Sequence, residues 1–151
     1  MKRSKKRIKK GHKKPIHCPY CGGQALLKDA KSLFNDPYIK KLFVCVRYPE
    51  CDSYVSAHEN TLEPMGSLAN AILRKKRMMA HYHFDQLWKS GIFTRDEAYR
   101  WLCYRFGGNA RRISTHLHIG AMGETMCDKV VKEAKRALWA RKKTQEENGG
   151  A

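Results

Sequence analysis

The spacing of four cysteines constrains this chain more than any other feature of its sequence. Two residues separate Cys18 from Cys21, five separate Cys45 from Cys51, and 23 lie between the two pairs. Pairs of thiolates two to four residues apart are typical of a tetrahedral Zn²⁺ site, whose Zn–S distances are about 2.3 Å. The second pair is wider than this, so the residues between Cys45 and Cys51 must bulge. A site closed by four sulfurs has no position for a substrate, so it stabilises the fold. We predict that these four cysteines bind one structural zinc ion.

The residues around the first pair favour the same interpretation. Gly22 and Gly23 directly follow Cys21 and allow the tight turn in which backbone amides point at sulfur. An iron centre would use the same four ligands, and four unpaired core cysteines are the simplest alternative. His17 and His58 lie close in sequence, and each is an alternative ligand or a residue that supports the ligands.

Short apolar runs flank the cysteines. The runs at residues 25–27 and 39–46 are separated by turn-forming residues, a pattern typical of short antiparallel strands. A β unit of this size has too small a hydrophobic core to be stable alone, and a bound metal supplies the missing stability. We therefore predict a zinc ribbon over residues 16–60.

The pattern becomes helical after residue 60. Apolar residues at helical spacing predict a helix from Ser67 to Lys89, a second from Thr94 to the glycines at 107 and 108, and a third from Glu124 to Lys142. The second helix opens with Thr-Arg-Asp-Glu, which matches the capping box. The predicted fold class is α+β: a small antiparallel four-cysteine zinc ribbon followed by a module of about three helices. This helical module spans residues 61–143, and a disordered tail is expected at 144–151.

Positive charge is concentrated at the N-terminus. The chain has 31 Lys and Arg against 14 Asp and Glu, a formal net charge of +17. Residues 1–15 hold nine of the basic residues, no acidic residue and one large apolar residue, Ile8. Such a composition predicts a disordered basic arm. The rest of the chain still carries +8, from 22 basic and 14 acidic side chains, and a polyanionic partner is therefore expected.

Further motifs extend well beyond the cysteines. They are Cys18-Pro-Tyr-Cys21-Gly-Gly, Val44-Cys45, Tyr48-Pro49-x-Cys51-Asp52-x-Tyr54-Val55-x-x-His58, Pro64-x-Gly66-x-Leu68-Ala69-Asn70, Arg77, Ala80-His81, Phe84-Asp85-x-Leu87-Trp88, Arg95-x-x-Ala98-Tyr99-x-Trp101-Leu102 and His118-Ile119-Gly120. In this order, over about residues 16–135, they resemble the "zinc-finger-containing domain" family found largely in phage and prophage proteins. The resemblance implies a zinc site and a phage or prophage origin, and it names no reaction. The ribbon alone is also similar to the zinc ribbons of type I topoisomerases and of transcription factors.

Signals for membrane insertion or secretion are missing from the sequence. No apolar run reaches the ~18 residues of a membrane span, and the start of the chain lacks the apolar segment of a signal peptide. We expect a soluble cytoplasmic protein, in the host cell if a phage encodes it, with no membrane partner. Disulfides are rare in that compartment, so Cys103 and Cys127 are expected to be small buried hydrophobic residues.

Basic residues beside aromatic ones point to nucleic-acid binding. Cations neutralise phosphates and exposed rings stack on unpaired bases, a combination that gives weak sequence preference. Besides Tyr20 and Tyr48, the aromatic candidates in the ribbon are Tyr38, Phe43 and Tyr54. The simpler alternative is that the rings fill the ribbon's core and the charges are only solvated. The predicted contact residues, for DNA or RNA, are Lys2, Arg3, Lys5, Lys6, Arg7, Lys9, Lys10, Lys13, Lys14, Tyr20, Arg47, Tyr48, Arg74, Lys75, Lys76 and Arg77.

Two other classes of function remain open. One is a regulatory adaptor that docks on a host or viral protein such as RNA polymerase, with the charge only speeding encounter. The other is a metal-dependent nuclease that uses a histidine cluster. The residues considered for this minor alternative, or as supports of the zinc ligands, are His58, His81, Asp85 and His118, with His83 and His116 nearby in sequence.

The geometry of a helix limits the nuclease hypothesis. His81 and Asp85 are four residues apart and share a helix face, whereas His83 points in another direction. The simpler alternative is that His81 and His118 hold the helices together through hydrogen bonds. The sequence contains no phosphate-binding loop, no HExxH motif and no paired-carboxylate pattern. We expect that the protein is not an enzyme.

Overall fold

A computed structural model describes residues 14–34, 36–107 and 117–149. The chain divides into two compact units, Met1–Ile72 and Leu73–Ala151. The boundary lies near residue 72, later than the predicted end of the ribbon at residue 60. Most of the predicted basic arm, residues 1–13, lies outside the described residues.

The first unit is built on an antiparallel sheet of four strands. These strands are β1 (Ile16–His17), β2 (Gln24–Asp29), β3 (Lys41–Cys45) and β4 (Tyr54–Ser56), and they pair in sequence order. The predicted antiparallel ribbon is confirmed. Its two outer strands are too short to have been recognised from hydrophobic pattern alone, since a strand of two or three residues has no period to detect.

The central strand β3 is buried on both faces of the sheet. Successive side chains of a strand point to opposite faces, so Phe43 and Cys45 lie on one side and Leu42 and Val44 on the other. On the first side, Phe43 and Cys45 belong to a core that also includes Cys18, Ala25 and Leu68. A second core on the other side consists of Ala30, Leu42 and Val44, with Leu33, Phe34, Ile39, Tyr48 and Tyr54 packed against it. Each core is thin, and the ligand cysteines are part of the first one.

Helix α1 spans Ala71–Lys89. The predicted start at Ser67 is wrong, because Ala69 pairs with Tyr54 through amide-to-carbonyl hydrogen bonds of 3.1 and 3.2 Å. The Ala71 amide donates to Asp52 Oδ2 at 2.9 Å, so a side chain from another part of the ribbon satisfies one of the first free amides of the helix.

Helix α2 spans Arg95–Phe106, and its predicted capping box is confirmed. The Glu97 amide donates to Thr94 Oγ1 at 3.2 Å, and the Thr94 amide donates to Glu97 Oε2 at 2.7 Å. Gly107 follows at the C-terminal end, where its amide donates to the Cys103 carbonyl at 2.7 Å. The glycine stop therefore lies where the sequence predicts it.

Helix α3 spans Glu124–Gly149 and is longer than predicted. The sequence pattern predicted an end near Lys142 and a tail that frays from Thr144, since no apolar stripe continues there. The Thr144 hydroxyl donates to the Ala140 carbonyl at 3.0 Å, which is compatible with a continuing helix. Glutamine and glutamate, which are good helix formers, occupy positions 145–147.

The three helices pack within the second unit. Each contributes fully buried apolar side chains, represented by Phe84 and Leu87 of α1, Leu102 of α2 and Val130 of α3. The Phe84 and Tyr99 rings meet edge to face with centroids 5.1 Å apart. None of the helices in the described ranges combines the length and apolarity that crossing a bilayer would take.

Replacing Thr94 by Ala tests the capping box. We expect the free energy of unfolding of the helical unit to fall by about 1 kcal/mol, because the Glu97 amide loses its acceptor. Tryptophan fluorescence during urea unfolding reports on this unit alone, since Trp88, Trp101 and Trp139 all lie in it.

The matched control is Thr144→Ala, which removes a hydroxyl from an exposed stretch of α3. It should change the unfolding free energy by less than about 0.5 kcal/mol. Equal effects of the two substitutions would contradict a specific role for the cap.

Candidate metal centre

The first two ligands lie in a knuckle between β1 and β2. The Cys18 amide donates to the Gly23 carbonyl at 2.7 Å, and the Gly22 amide donates to the Cys18 carbonyl at 2.9 Å. Gly22 has a φ of +72°, a conformation that glycine adopts without steric cost. The Gly23 amide points at the sulfur of Cys21, with an N···Sγ distance of 3.4 Å. This turn places both sulfurs on the same side of the backbone.

Gly23 also leaves space for the ligands. A Cβ at this position would lie 3.3 Å from Cys21 Sγ, 3.4 Å from Cys45 Sγ and 3.3 Å from Val46 Cγ1. No heavy atom lies within 4 Å of a Cβ at Gly22. The two glycines therefore have different roles, which their sequence motif does not distinguish: Gly22 provides the turn, and Gly23 keeps the sulfurs uncrowded.

The second pair of ligands lies at the end of β3 and in the turn that follows. The Tyr48 amide donates to the Cys45 carbonyl and the Cys51 amide to the Arg47 carbonyl, both at 3.0 Å. These consecutive turns accommodate the five residues between the two thiols and bring Cys51 back toward Cys45. Ser53 is fully buried, and its Oγ lies 3.4 Å from Cys51 Sγ. Ser53 was not predicted from the sequence, where its one signal is a small polar residue two positions after a ligand.

The four sulfurs form a cluster of the size that zinc requires. Cys18 Sγ lies 3.6 Å from Cys51 Sγ, Cys21 Sγ lies 3.4 Å from Cys45 Sγ, and all four sulfurs lie within 4.8 Å of one another. A tetrahedron with Zn–S distances of about 2.3 Å has edges of about 3.8 Å. The cysteines are free thiols, separated by more than the roughly 2.05 Å of a disulfide. The donor set and its spacing therefore fit a closed tetrahedral zinc site.

Burial and hydrogen bonding act differently on two of the thiols. Burial raises the pKa of Cys45 to about 12. Burial also opposes ionisation of Cys18, but donors from the Tyr20 and Cys21 backbone and the Ser53 hydroxyl outweigh it and lower the pKa of Cys18 to about 6. At neutral pH a metal ion must therefore displace a proton from Cys45, whereas the Cys18 thiolate is already available.

The histidine candidates do not join a ligand group. Across residues 14–34, 36–107 and 117–149, the cysteine quartet is the one cluster of three or more potential ligands. His17, His58, His81 and His118 are exposed, and His116 lies outside the described residues. Asp85 instead forms an ion pair with Lys89, at 3.5 Å.

His81 nevertheless lies within electrostatic reach of other candidates. Partial desolvation lowers its pKa, Asp85 acts to raise it, and Arg77 and His118 lower it further. His83 is half-buried, with its ring edge-on to Tyr82 at a centroid distance of 5.1 Å. Within the part of the chain that the structure describes, these side chains are neighbours on the helical unit, and no three of them form a cluster of potential metal ligands.

The predicted nucleic-acid contacts fall into different environments. Lys14, Tyr20, Arg47 and Lys75 are exposed, whereas Tyr48 is half-buried against the second core. The candidates from Lys2 to Lys13 lie outside the described residues. Among the additional aromatic residues, Tyr38 is 89% exposed and Phe43 is buried, so Phe43 has no free face for a base.

The basic cluster at the start of α1 does not form one solvated surface. Arg77 is buried, and its Nε donates to the Met122 carbonyl at 3.0 Å, so its inclusion among exposed contacts needs correction. Lys76 forms an ion pair with Asp128 of α3. Arg74 is half-buried, and Lys75 is the exposed member of the cluster. The reason is the helix period, which turns position 77 toward the core of the unit.

The two cysteines outside the quartet lie in the helical unit. Cys127 is fully buried, as predicted, and burial raises its pKa. Cys103 is only half-buried, because its position on α2 lies at the side of the packed face.

Comparison with known proteins adds one match. A family model described as a zinc-finger-containing domain matches residues 14–137. No curated protein and no solved structure matches the chain. The matched range contains all four cysteines and continues through α1 and α2 into α3. Together with the spacing of the four sulfurs, this match supports Zn²⁺ as the ion that the quartet holds.

Replacing Cys45 by Ser should abolish zinc binding and unfold the ribbon, because metal binding and folding of such a site are one equilibrium. Zinc content and far-UV circular dichroism of the purified protein measure both effects. Cys103→Ser is the matched control, since it removes a thiol outside the quartet, and it should retain one zinc per chain. A Cys45→Ser protein with full zinc content would contradict the assigned ligand set.

Zinc affinity should fall as pH falls. With Cys45 protonated throughout the neutral range, each proton displaced on binding changes the apparent affinity about tenfold per pH unit. Below a pH of about 6 Cys18 also becomes protonated, so the dependence should steepen there. Competition with a chromophoric chelator from about pH 5 to about pH 8, a range that includes the pKa of Cys18, measures the slope of log affinity against pH. An affinity independent of pH would contradict a thiolate donor set.

Proposed function

The chain belongs to the zinc-finger-containing domain family, and from that premise we propose that it binds nucleic acid with little sequence preference. The zinc-stabilised ribbon presents an aromatic contact, and basic segments on either side attract the phosphates. The resemblance of the motifs to phage and prophage proteins makes such an origin part of the same proposal.

The observation that carries the proposal is the arrangement of Tyr20 and Arg47 at the zinc knuckle. Tyr20 lies between the two ligands of the knuckle, and 44% of its surface is exposed. The Arg47 guanidinium donates through Nη1 to the carbonyl of Cys21, the residue that follows Tyr20, at 3.2 Å. The guanidinium is thus fixed to the residue that follows an exposed ring, and a ring and a cation on the same turn can stack on a base and neutralise its phosphate.

The distribution of charge supports the proposal. Residues 1–15 carry nine basic side chains and no acidic one, and residues 73–151 carry 17 basic and eight acidic ones. Residues 16–72 carry five basic and six acidic side chains, so the ribbon itself is nearly neutral. The electrostatic attraction therefore comes from the two flanking segments, while the ribbon contributes shape and an aromatic surface.

Fluorescence anisotropy with labelled single-stranded DNA, duplex DNA and RNA tests the proposal. We expect the zinc-loaded protein to bind in low salt, and log affinity to fall linearly with log salt concentration. Deleting residues 1–14 should flatten that slope, because the phosphates neutralised by the arm no longer release counterions. A protein that binds none of the three at low salt would overturn the proposal.

Substitution of Tyr20 by Ala separates a contact by the ribbon from attraction by charge alone. Loss of one stacked base should weaken binding of single strands about tenfold. Tyr104→Ala is the matched control, since Tyr104 is 78% exposed but lies on α2. Equal affinities of the two variants would mean that the ribbon is not a contact surface. A protein partner bound in salt that abolishes all nucleic-acid binding would instead favour the adaptor hypothesis.

A further inference from the structure

The solvent face of α3 has an unusual composition. Five exposed residues recur at intervals of three, four, three and one positions along the helix, and they therefore share one face. We call this face the α3 stripe; it consists of Lys132, Lys135, Trp139, Lys142 and Lys143. The buried residues Cys127, Val130 and Ala134 lie on the opposite face of the helix.

We propose that the α3 stripe binds a single strand of nucleic acid, with Trp139 stacking on an unpaired base and the lysines contacting phosphates. The inference rests on the proposed function and specifies a second contact surface, in the helical unit, for that same class of ligand. None of its residues is among those predicted from the sequence.

Trp139 is the most informative residue of the stripe. Its side chain is 66% exposed, whereas Trp88 and Trp101 are half-buried. The Lys143 ammonium lies 5.6 Å from the centroid of the Trp139 ring, so an aromatic face and a cation are already adjacent. Tryptophan supplies a large apolar surface, and its exposure on a monomer commonly marks a contact site.

The lysines of the stripe are available to an external anion. Within the described residues, none of Lys132, Lys135, Lys142 and Lys143 forms an ion pair with a carboxylate. The acidic residue nearest in sequence, Glu133, is bound by Arg105 at 2.6 Å and by Arg136 at 3.1 Å. Arginine thus neutralises the one carboxylate among residues 129–143. Asp128, four residues before Lys132, is paired with Lys76, and Glu146 lies three residues after Lys143, so the four lysines still outnumber the carboxylates beside them and the stripe keeps a net positive charge.

The length of the stripe suits an extended polyanion. From Lys132 to Lys143 the helix rises by about 17 Å at 1.5 Å per residue. Cations therefore lie on both sides of Trp139 along the helix axis. A strand that follows this face would place phosphates beside the lysines and one base over the ring.

Two other partners fit the stripe less well. An interfacial membrane helix needs a broad apolar face, and the stripe contains one apolar residue among four lysines. Duplex DNA would satisfy the lysines, but its bases are stacked on one another and offer no face to Trp139. The combination of ring and cations therefore favours a strand with unpaired bases.

Variants of Trp139 in the zinc-loaded full chain test the proposal. Trp139→Leu should weaken binding of an oligothymidine or oligouridine strand about tenfold, and Trp139→Phe should retain most of the affinity because a ring remains. Neither variant should change the affinity of the chain for duplex DNA. Binding of the strand should also quench tryptophan fluorescence in the unmodified chain, and this quenching should be lost in Trp139→Phe.

Two variants that each remove one positive charge give the second measurement. Lys143→Gln should reduce the salt slope for single strands by about 0.7, the contribution of one phosphate contact. Arg141→Gln is the matched control, because it removes one positive charge from the opposite side of the helix. It should leave the slope unchanged.

The outcomes separate this proposal from the preceding one. If the full chain binds single strands but Trp139→Leu does so equally well, the α3 stripe is not a contact, and nucleic-acid binding elsewhere stands. If Tyr20→Ala has no effect and Trp139→Leu does, the stripe stands without the ribbon contact. Binding to phosphatidylserine-containing vesicles that is lost in Trp139→Leu, with oligonucleotide binding intact, would overturn the proposal in favour of a membrane.

Discussion

The bonding of four cysteine sulfurs to one zinc ion is the constraint on which the ribbon depends. Its strands are two to six residues long, and its apolar side chains are divided between thin cores on either side of β3. Small cores of this kind rarely supply more than a few kcal/mol. Structural zinc in small peptides contributes about 10–16 kcal/mol, enough to decide whether such a unit folds. The knuckle, the turn after β3 and the buried hydroxyl of Ser53 all serve to hold the sulfurs for that ion.

The ribbon and the segments on either side of it also differ in charge. The ribbon is nearly neutral, and four thiolates around Zn²⁺ would make its metal site negative, so the ribbon is poorly suited to attract phosphates by itself. The basic residues lie before it and after it in sequence. In the proposed mode of binding, the flanking segments provide affinity that depends on salt, and rigid elements provide the rings on which bases stack. Tyr20 and Trp139 occupy such positions in their respective units.

How well a feature could be predicted depended on how far apart in the sequence the interacting residues lie. The zinc ligands and the cap at Thr94 could be predicted because each depends on residues a few positions apart, or on a donor set with known spacing. The start of α1 could not, because it depends on Tyr54 pairing with Ala69 and on Asp52 accepting from Ala71. Arg77 was assigned to a solvated cluster by its basic neighbours, whereas its burial depends on the distant carbonyl of Met122. The helical extension through Thr144 has no apolar stripe, and hydrophobic pattern was the signal used to define the helices.

The burial of β3 on both faces has a consequence for how the metal leaves the protein. Its amides are bonded to a neighbouring strand on either side and shielded from water above and below, so they are the last in the ribbon to become accessible. The strand ends in Cys45, and opening it would pull that ligand away from the other three. Hydrogen–deuterium exchange at Leu42 to Val44 and dissociation of the ion would then report the same opening event. The exchange rate of these three amides would therefore measure the lifetime of the bound metal.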